Sequence, residues 1–144
     1  MRRACVDSCY VLKTLCDEPD SQAVVDLLAD FDRVACASHG RAEVVVALHR
    51  KVRNGELSPR DCRQALDRMD IDAALGRLQW LNAGEASHRI LIDACARGDK
   101  GFPLRSADAL HLACAVEHGF RILWSSDRQM QAGAAAFGIE CRPA

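Results

Sequence analysis

No stretch of this 144-residue sequence approaches the roughly 18 consecutive apolar residues of a membrane span, so no transmembrane helix is expected. The start, Met1-Arg2-Arg3, is basic, but no signal-peptide apolar region follows it, and the expected location is the cytoplasm. The eight cysteines include no CxxC pair, which argues against structural zinc. They stand dispersed at 5, 9, 16, 36, 62, 95, 114 and 141, mostly inside apolar patterns. Buried free thiols are therefore expected rather than a disulfide framework. Lysine is scarce, with 3 residues against 16 arginines. Arginine's planar fork suits phosphate recognition, although a GC-rich genome produces the same bias. Positive charge is not in excess: the net charge is −1, so any nucleic-acid binding must rest on a local patch. There is no repeat, low-complexity run or Gly/Ser linker. What the chain does have is 49% hydrophobic and 27% charged residues, a globular composition, at the length of a single domain spanning 1–144.

The apolar pattern alternates between strand and helix. A strand is expected over about 3–7, then a helix through Tyr10, Val11, Leu12 and Leu15, ending before Asp17-Glu18-Pro19-Asp20. Asp20 or Ser21 can cap a second helix carrying Val24, Val25, Leu27, Leu28 and Phe31, and 33–37 reads as a second strand. Ser38 can cap a third helix, with Val44, Ala47, Leu48 and Val52 at helical spacing and Asn54-Gly55 as its stop. Ser58-Pro59 starts a fourth, expected to run towards Trp80 and Leu81 with a break near Asp70-Ile71-Asp72. A fifth runs from Gly84-Glu85 to about Gly98. The loop Gly101-Phe102-Pro103 leads to Ser106, the expected cap of a sixth helix closed by Gly119. Phe120 to Ser126 reads as a strand, Asp127 to Phe137 as a last helix stopped by Gly138, and Ile139-Glu140-Cys141 as a short final strand. Parallel strands with helical crossovers fit this order.

Four acids stand where these patterns turn. Asp7 closes the run Ala4-Cys5-Val6, Asp127 follows the run 121–126, and Glu43 and Asp108 lie near the starts of two helices. In an open α/β sheet, sites form at the carboxyl ends of the strands and the helix starts beside them. Each acid alone has a plainer explanation. Asp7 and Asp127 can be helix caps, and Asp108 can favour a helix dipole. Glu43 can be a surface residue, or a partner for Lys51 or for the neighbourhood of Arg41. Taken together, on one sheet edge, they are harder to dismiss. Two carboxylates about 4 Å apart repel by roughly 4 kcal/mol at an effective dielectric near 20. Such a cluster stays ionised only beside a cation, or one member takes a proton. Mg²⁺ and Mn²⁺ are the cations that prefer oxygen ligands and retained waters. The chain is thus a candidate metal-dependent phosphodiesterase. A phosphoacceptor receiver domain also has acids at strand ends, but it needs a lysine after a late strand, which Lys13, Lys51 and Lys100 do not supply.

Four segments carry a resemblance: Val6-Asp7-Ser8-Cys9-Tyr10-Val11-Leu12-Lys13, Ala37-Ser38-His39-Gly40-Arg41-Ala42-Glu43-Val44, Arg105-Ser106-Ala107-Asp108-Ala109-Leu110-His111-Leu112-Ala113, and Leu123-Trp124-Ser125-Ser126-Asp127. The sequence resembles the PIN-domain ribonucleases, most closely the VapC-type toxins of bacterial toxin–antitoxin pairs. The match spans nearly the whole chain in the family's order, and Asp-Ala-Leu-His-Leu-Ala is its most specific part. The resemblance implies an α/β fold, a PIN-like three-layer α/β/α sandwich on a mainly parallel sheet. It places the family's acidic metal ligands on Asp7, Glu43, Asp108 and Asp127, and a polar helper on Ser125. Ser8 matches the small hydroxyl residue after the first acid. Cys9, where Ser or Ala is commoner, and Gly40, at the entry to the third helix, depart from the pattern without removing a ligand.

The implied chemistry is hydrolysis of RNA phosphodiesters with Mg²⁺ or Mn²⁺, leaving 5′-phosphate and 3′-hydroxyl ends. Because the 2′-hydroxyl is not the nucleophile, preference for RNA must come from recognition. Arg105 and Arg128, beside ligand positions, can hold flanking phosphates or be solubilising charge. The implied partners are the RNA substrate, a cognate antitoxin and a second copy in a homodimer, with no membrane. The apolar helices at 10–16 and 58–81 offer partner surface or core, including Leu57, Leu66, Met69, Leu75, Leu78 and Leu81. A degenerate PIN module that only binds RNA or protein, and a housekeeping RNA-processing nuclease, are the alternatives. His111, one turn after Asp108, reads as a packed or helix-pairing residue ahead of a catalytic one. His39, His49, His88 and His118 show no metal spacing with one another. Trp80 and Trp124 could stack bases, though core packing is expected for Trp124.

Overall fold

A computed structural model describes residues 1–98 and 102–144; Gly101, the start of the expected 101–103 loop, lies outside them. Five short strands form one parallel sheet: β1 (Arg3–Val6), β2 (Arg33–Ala37), β3 (Leu78–Leu81), β4 (Ile122–Trp124) and β5 (Glu140–Arg142), in the order β3-β2-β1-β4-β5. Side chains alternate across each strand, so neighbouring residues feed opposite layers. Ala4 and Val6 pack with the helices α1 (Ser8–Leu15), α2 (Ser21–Leu28), α3 (His39–Arg53) and α4 (Pro59–Ala74). Cys5, Ala35, Ala37 and Leu123 pack with α5 (Glu85–Arg97), α6 (Ser106–Glu117), α7 (Arg128–Gly133) and the 3₁₀ turn Ala134–Phe137. A sheet covered on both faces explains why its strands read as short, almost uninterrupted apolar runs. The result is the three-layer α/β/α sandwich expected.

Several local expectations need correction. The fourth helix does not reach Trp80 and Leu81: α4 ends at Ala74 and both residues lie in β3. Gly76, at φ +71°, turns the chain in the left-handed region that glycine adopts without a Cβ penalty. Ser58 does cap α4, its Oγ accepting from Asp61 N at 3.0 Å. Ser38 and Asp20 occupy cap positions without a side-chain bond, and Arg105 rather than Ser106 precedes α6. Ser21 Oγ instead accepts from Glu18 N and donates to Cys16 O. The strand expected over 120–126 is confined to β4, and the last helix tightens into the 3₁₀ turn. All eight cysteines are free, but only Cys5, Cys36, Cys62 and Cys114 are buried; Cys9 and Cys95 are exposed. Trp80 and Trp124 both pack against the α1–α4 layer. None of the helices is long and apolar enough to cross a membrane among the described residues.

Candidate active site

The chain's crossovers run from β1 out to β2 and β3, then return to the other side of β1 as β4 and β5. At such a reversal the carboxyl ends of adjacent strands diverge and leave a crevice. Asp7 follows β1 and Ser125 follows β4, on the two sides of this point. Asp7 is only 4% exposed. Its Oδ1 accepts from Tyr10 N at 2.9 Å, capping α1, and its Oδ2 accepts from Ser125 Oγ at 2.5 Å. Burial raises the Asp7 pKa above the ordinary carboxylate value, outweighing these bonds and the nearby His111, and the Asp127 charge adds to the rise. Ser125 Oγ also accepts from Asp127 N at 3.0 Å, so one buried hydroxyl joins two of the acids. Asp127 caps α7, its Oδ1 accepting from Gln129 N and Met130 N at 2.7 and 3.0 Å. Capping and site placement thus coincide at Asp7 and Asp127.

Asp108 sits in the first turn of α6, where Arg105 Nε lies 3.4 Å from its Oδ2. Glu43, in α3, pairs with neither Lys51 nor the surroundings of Arg41. Lys51 bonds Glu18 at 2.7 Å, and Arg41 bonds Asp70 at 2.8 Å. Glu43 Oε2 instead accepts from Ser8 Oγ and from His111 Nε2, the latter at 3.1 Å. The His111 bond foremost, with Ser8 and the charges of His111 and His39, lowers the Glu43 pKa from an ordinary 4.5 to about 2, against the opposing effect of burial. His111 is 2% exposed, so the packed reading was right in part, but its ring also reaches across from α6 to α3. Gly40 makes room for it: a Cβ there would lie 2.7 Å from Cys36 Sγ and 3.0 Å from His111 Cε1.

All four carboxylates line one cleft of about 440 Å³, together with Ser8, Cys9, Arg105 and His111. Arg128 is exposed at the start of α7 and is not among its lining residues. The acids are arrayed around the cleft rather than closed to ligand distance. Among the described residues, the group of three ligand atoms within 4.8 Å of one another belongs to His39, Glu43 and His111. The expectation that His39, His49, His88 and His118 show no metal spacing with one another is untouched by this, since the partners of His39 here are Glu43 and His111. His39 and Glu43 are an i,i+4 pair on one helix face, a signal present in the sequence; the approach of His111 from another helix was not. The oxygen donors of Asp7, Asp108 and Asp127 suit a hard divalent cation, whose charge would offset the burial of Asp7.

The chain is a parallel α/β sandwich with four acids gathered in a cleft at the carboxyl edge of its sheet. The PIN domain family model matches residues 4–135, and the chain belongs to that family. No curated protein matches the sequence significantly. Among solved structures, the fold is similar to FitAcB from Neisseria gonorrhoeae, with a TM-score of 0.71 at 16% identity, covering 96% of each chain. It is also similar to VapBC2 from Rickettsia felis, solved bound to a DNA fragment from its promoter, with a TM-score of 0.68 at 13% identity and 98% of each chain. Mycobacterium tuberculosis VapC20, a sarcin-ricin loop cleaving toxin, gives 0.66 at 16% identity, covering 90% of this chain and 93% of that one.

Proposed function

We propose that this chain, taken as a single PIN-like domain over 1–144, is a Mg²⁺- or Mn²⁺-dependent endoribonuclease and the toxin of a type II toxin–antitoxin pair. Asp7, Glu43, Asp108 and Asp127 are its metal-binding and catalytic acids, and Ser125 is their catalytic helper. The observation that carries this reading is the convergence of all four carboxylates on one cleft in a PIN-family fold. When bound, a divalent cation supplies Lewis-acid polarisation of a phosphate oxygen and a water of lowered pKa. The residues do the positioning. Ser125 fixes the Asp7 carboxylate and the start of the Asp127 turn through one oxygen. Ser8 and His111 both bind Glu43 Oε2, which leaves Oε1 available to a ligand. Arg105 is 81% exposed at its side chain, and its pair with Asp108 is a weak surface contact that a flanking phosphate can replace. Arg128 stands just outside the cleft for a more distant phosphate. The ribose 3′-oxygen leaves, giving 5′-phosphate and 3′-hydroxyl ends.

The RNA substrate is supported by the likeness to a toxin described as cleaving the sarcin-ricin loop, and the antitoxin by the likeness to the VapBC2 complex. The apolar partner surface expected along 58–81 is mostly core, since Met69, Leu78 and Leu81 are buried, whereas Leu75 is 62% exposed. What remains outside is a groove of about 550 Å³ between α1, α2 and α4, lined by Val11, Leu15, Val25, Leu28, Met69 and Leu78. An amphipathic antitoxin segment would bury its apolar face there. The test is expression of wild type and Asp7→Asn with mapping of RNA ends. New 5′-phosphate ends from wild type only, abolished by EDTA in the purified reaction, are expected. Cleavage undiminished by excess EDTA or by Asp7→Asn would reject the proposal.

A further inference from the structure

We propose that His39, Glu43 and His111 form a second cation site in the wall of the cleft, taking borderline transition ions such as Zn²⁺ or Co²⁺. Each of the three offers a ligand atom within 4.8 Å of the others. Glu43 lies between the two rings: its Oε2 is 3.1 Å from His111 Nε2 and its Oε1 is 4.0 Å from His39 Nε2. The ring centroids are 4.2 Å apart. Two imidazoles and one carboxylate are a ligand set that selects zinc-like ions and leaves a coordination position open. The remaining acids of the cleft offer oxygen alone, which selects harder ions.

A second observation supports the site. Nδ1 of His39 and Nδ1 of His111 are both buried without a hydrogen-bond partner. The Nε2 atoms already donate, to the Ala107 carbonyl and to Glu43 Oε2, so the lone pairs left for an ion are those of the two Nδ1 atoms, which are otherwise buried without a partner. His39 is anchored by its Nε2 contact with the Ala107 carbonyl at 3.0 Å, the kind of support that orients a ligating imidazole. The approach is also built into the backbone, because only glycine at 40 lets the His111 ring close on α3 beside Cys36. Glu43 and His111 line the solvent-open cleft, which gives an ion its route in.

Binding at this site stands without the nuclease reading. Its consequence rests on that reading: an ion held by the histidines engages Glu43 and withdraws it from the hard-ion site, so a zinc-like ion inhibits the enzyme.

The test titrates Co²⁺ into metal-free protein and follows the visible ligand-field spectrum. A spectrum without the thiolate charge-transfer band is expected, retained in Asp108→Asn and weakened at least about tenfold in His39→Ala and Glu43→Gln. His111→Gln, which conserves bulk in the core, should weaken it similarly, with circular dichroism confirming the fold of each variant. A thiolate band, or wild-type affinity in His39→Ala, would overturn the site. Cobalt bound as expected by a protein that cleaves no RNA with Mg²⁺ or Mn²⁺ would reject the nuclease reading and leave the site standing. If Mg²⁺-dependent cleavage occurs, Zn²⁺ should inhibit wild type at concentrations that spare His39→Ala. Equal inhibition of both would overturn the withdrawal of Glu43.

Discussion

Ser125 Oγ touches two acids at once, and the Asp7 and Glu43 carboxylates of the cleft respond to pH with opposite sign. The raised Asp7 pKa means that, as pH rises past an ordinary 3.8, the unfolded chain ionises first and the metal-free fold loses stability until the folded value is passed. Asp7→Asn removes that loss. It should abolish RNA cleavage while leaving the metal-free melting temperature at neutral pH equal or higher. Glu43 contributes the reverse: its stabilisation is complete above about 4.5 and is lost as pH falls towards about 2. The melting temperature of Glu43→Gln should therefore vary less with pH across that window than that of wild type, as calorimetry would show; parallel curves would refute the His111 and Ser8 pairing. The acids were legible from the sequence because each ends a strand pattern or opens a helix. The two histidines were not, because i,i+3 and i,i+4 spacing shows which residues share a face and not what stands across from it.

Among the elements, cap residues show what sequence can specify. Asp7, Ser58 and Asp127 all have extended backbone at the cap position and bond the following turn. Ser38 already has helical dihedrals and Asp20 is left-handed, so neither places its oxygen over the free N–H groups. Ser58→Ala should cost about 1 kcal/mol in urea unfolding, whereas Ser38→Ala should cost less through capping. The end of α4 was misread because apolar residues at 78 and 81 satisfy a helical period as well as a strand flanked by turns. Gly40→Ala should destabilise by about 1–3 kcal/mol, since its methyl would meet Cys36 and His111. A wild-type unfolding midpoint would show that the α3–α6 approach has slack.

For the whole molecule, a cation that binds the folded state alone must raise its melting temperature. Mg²⁺ or Mn²⁺ should do so for wild type and less for Asp108→Asn; no shift at millimolar metal would count against the acidic cleft as a cation site. Light scattering at micromolar concentration should show a homodimer, and a mass near the 15.8 kDa chain unchanged on dilution would reject it. The α/β class was legible from alternating patterns, but the central place of β1 was not, since nothing local records which strands pair. That placement bears on synthesis. Asp7 and the Ser125 hydroxyl that holds it are 118 residues apart, and β1 gains its β4 neighbour only through residues near the end of the chain. A growing polypeptide carries Asp7 and Glu43 well before the β4 side of the cleft has been made. The cleft is completed only once β4 and the turn after it have been made, so a chain cut short before β4 lacks Ser125 and Asp127 and should bind no cation there.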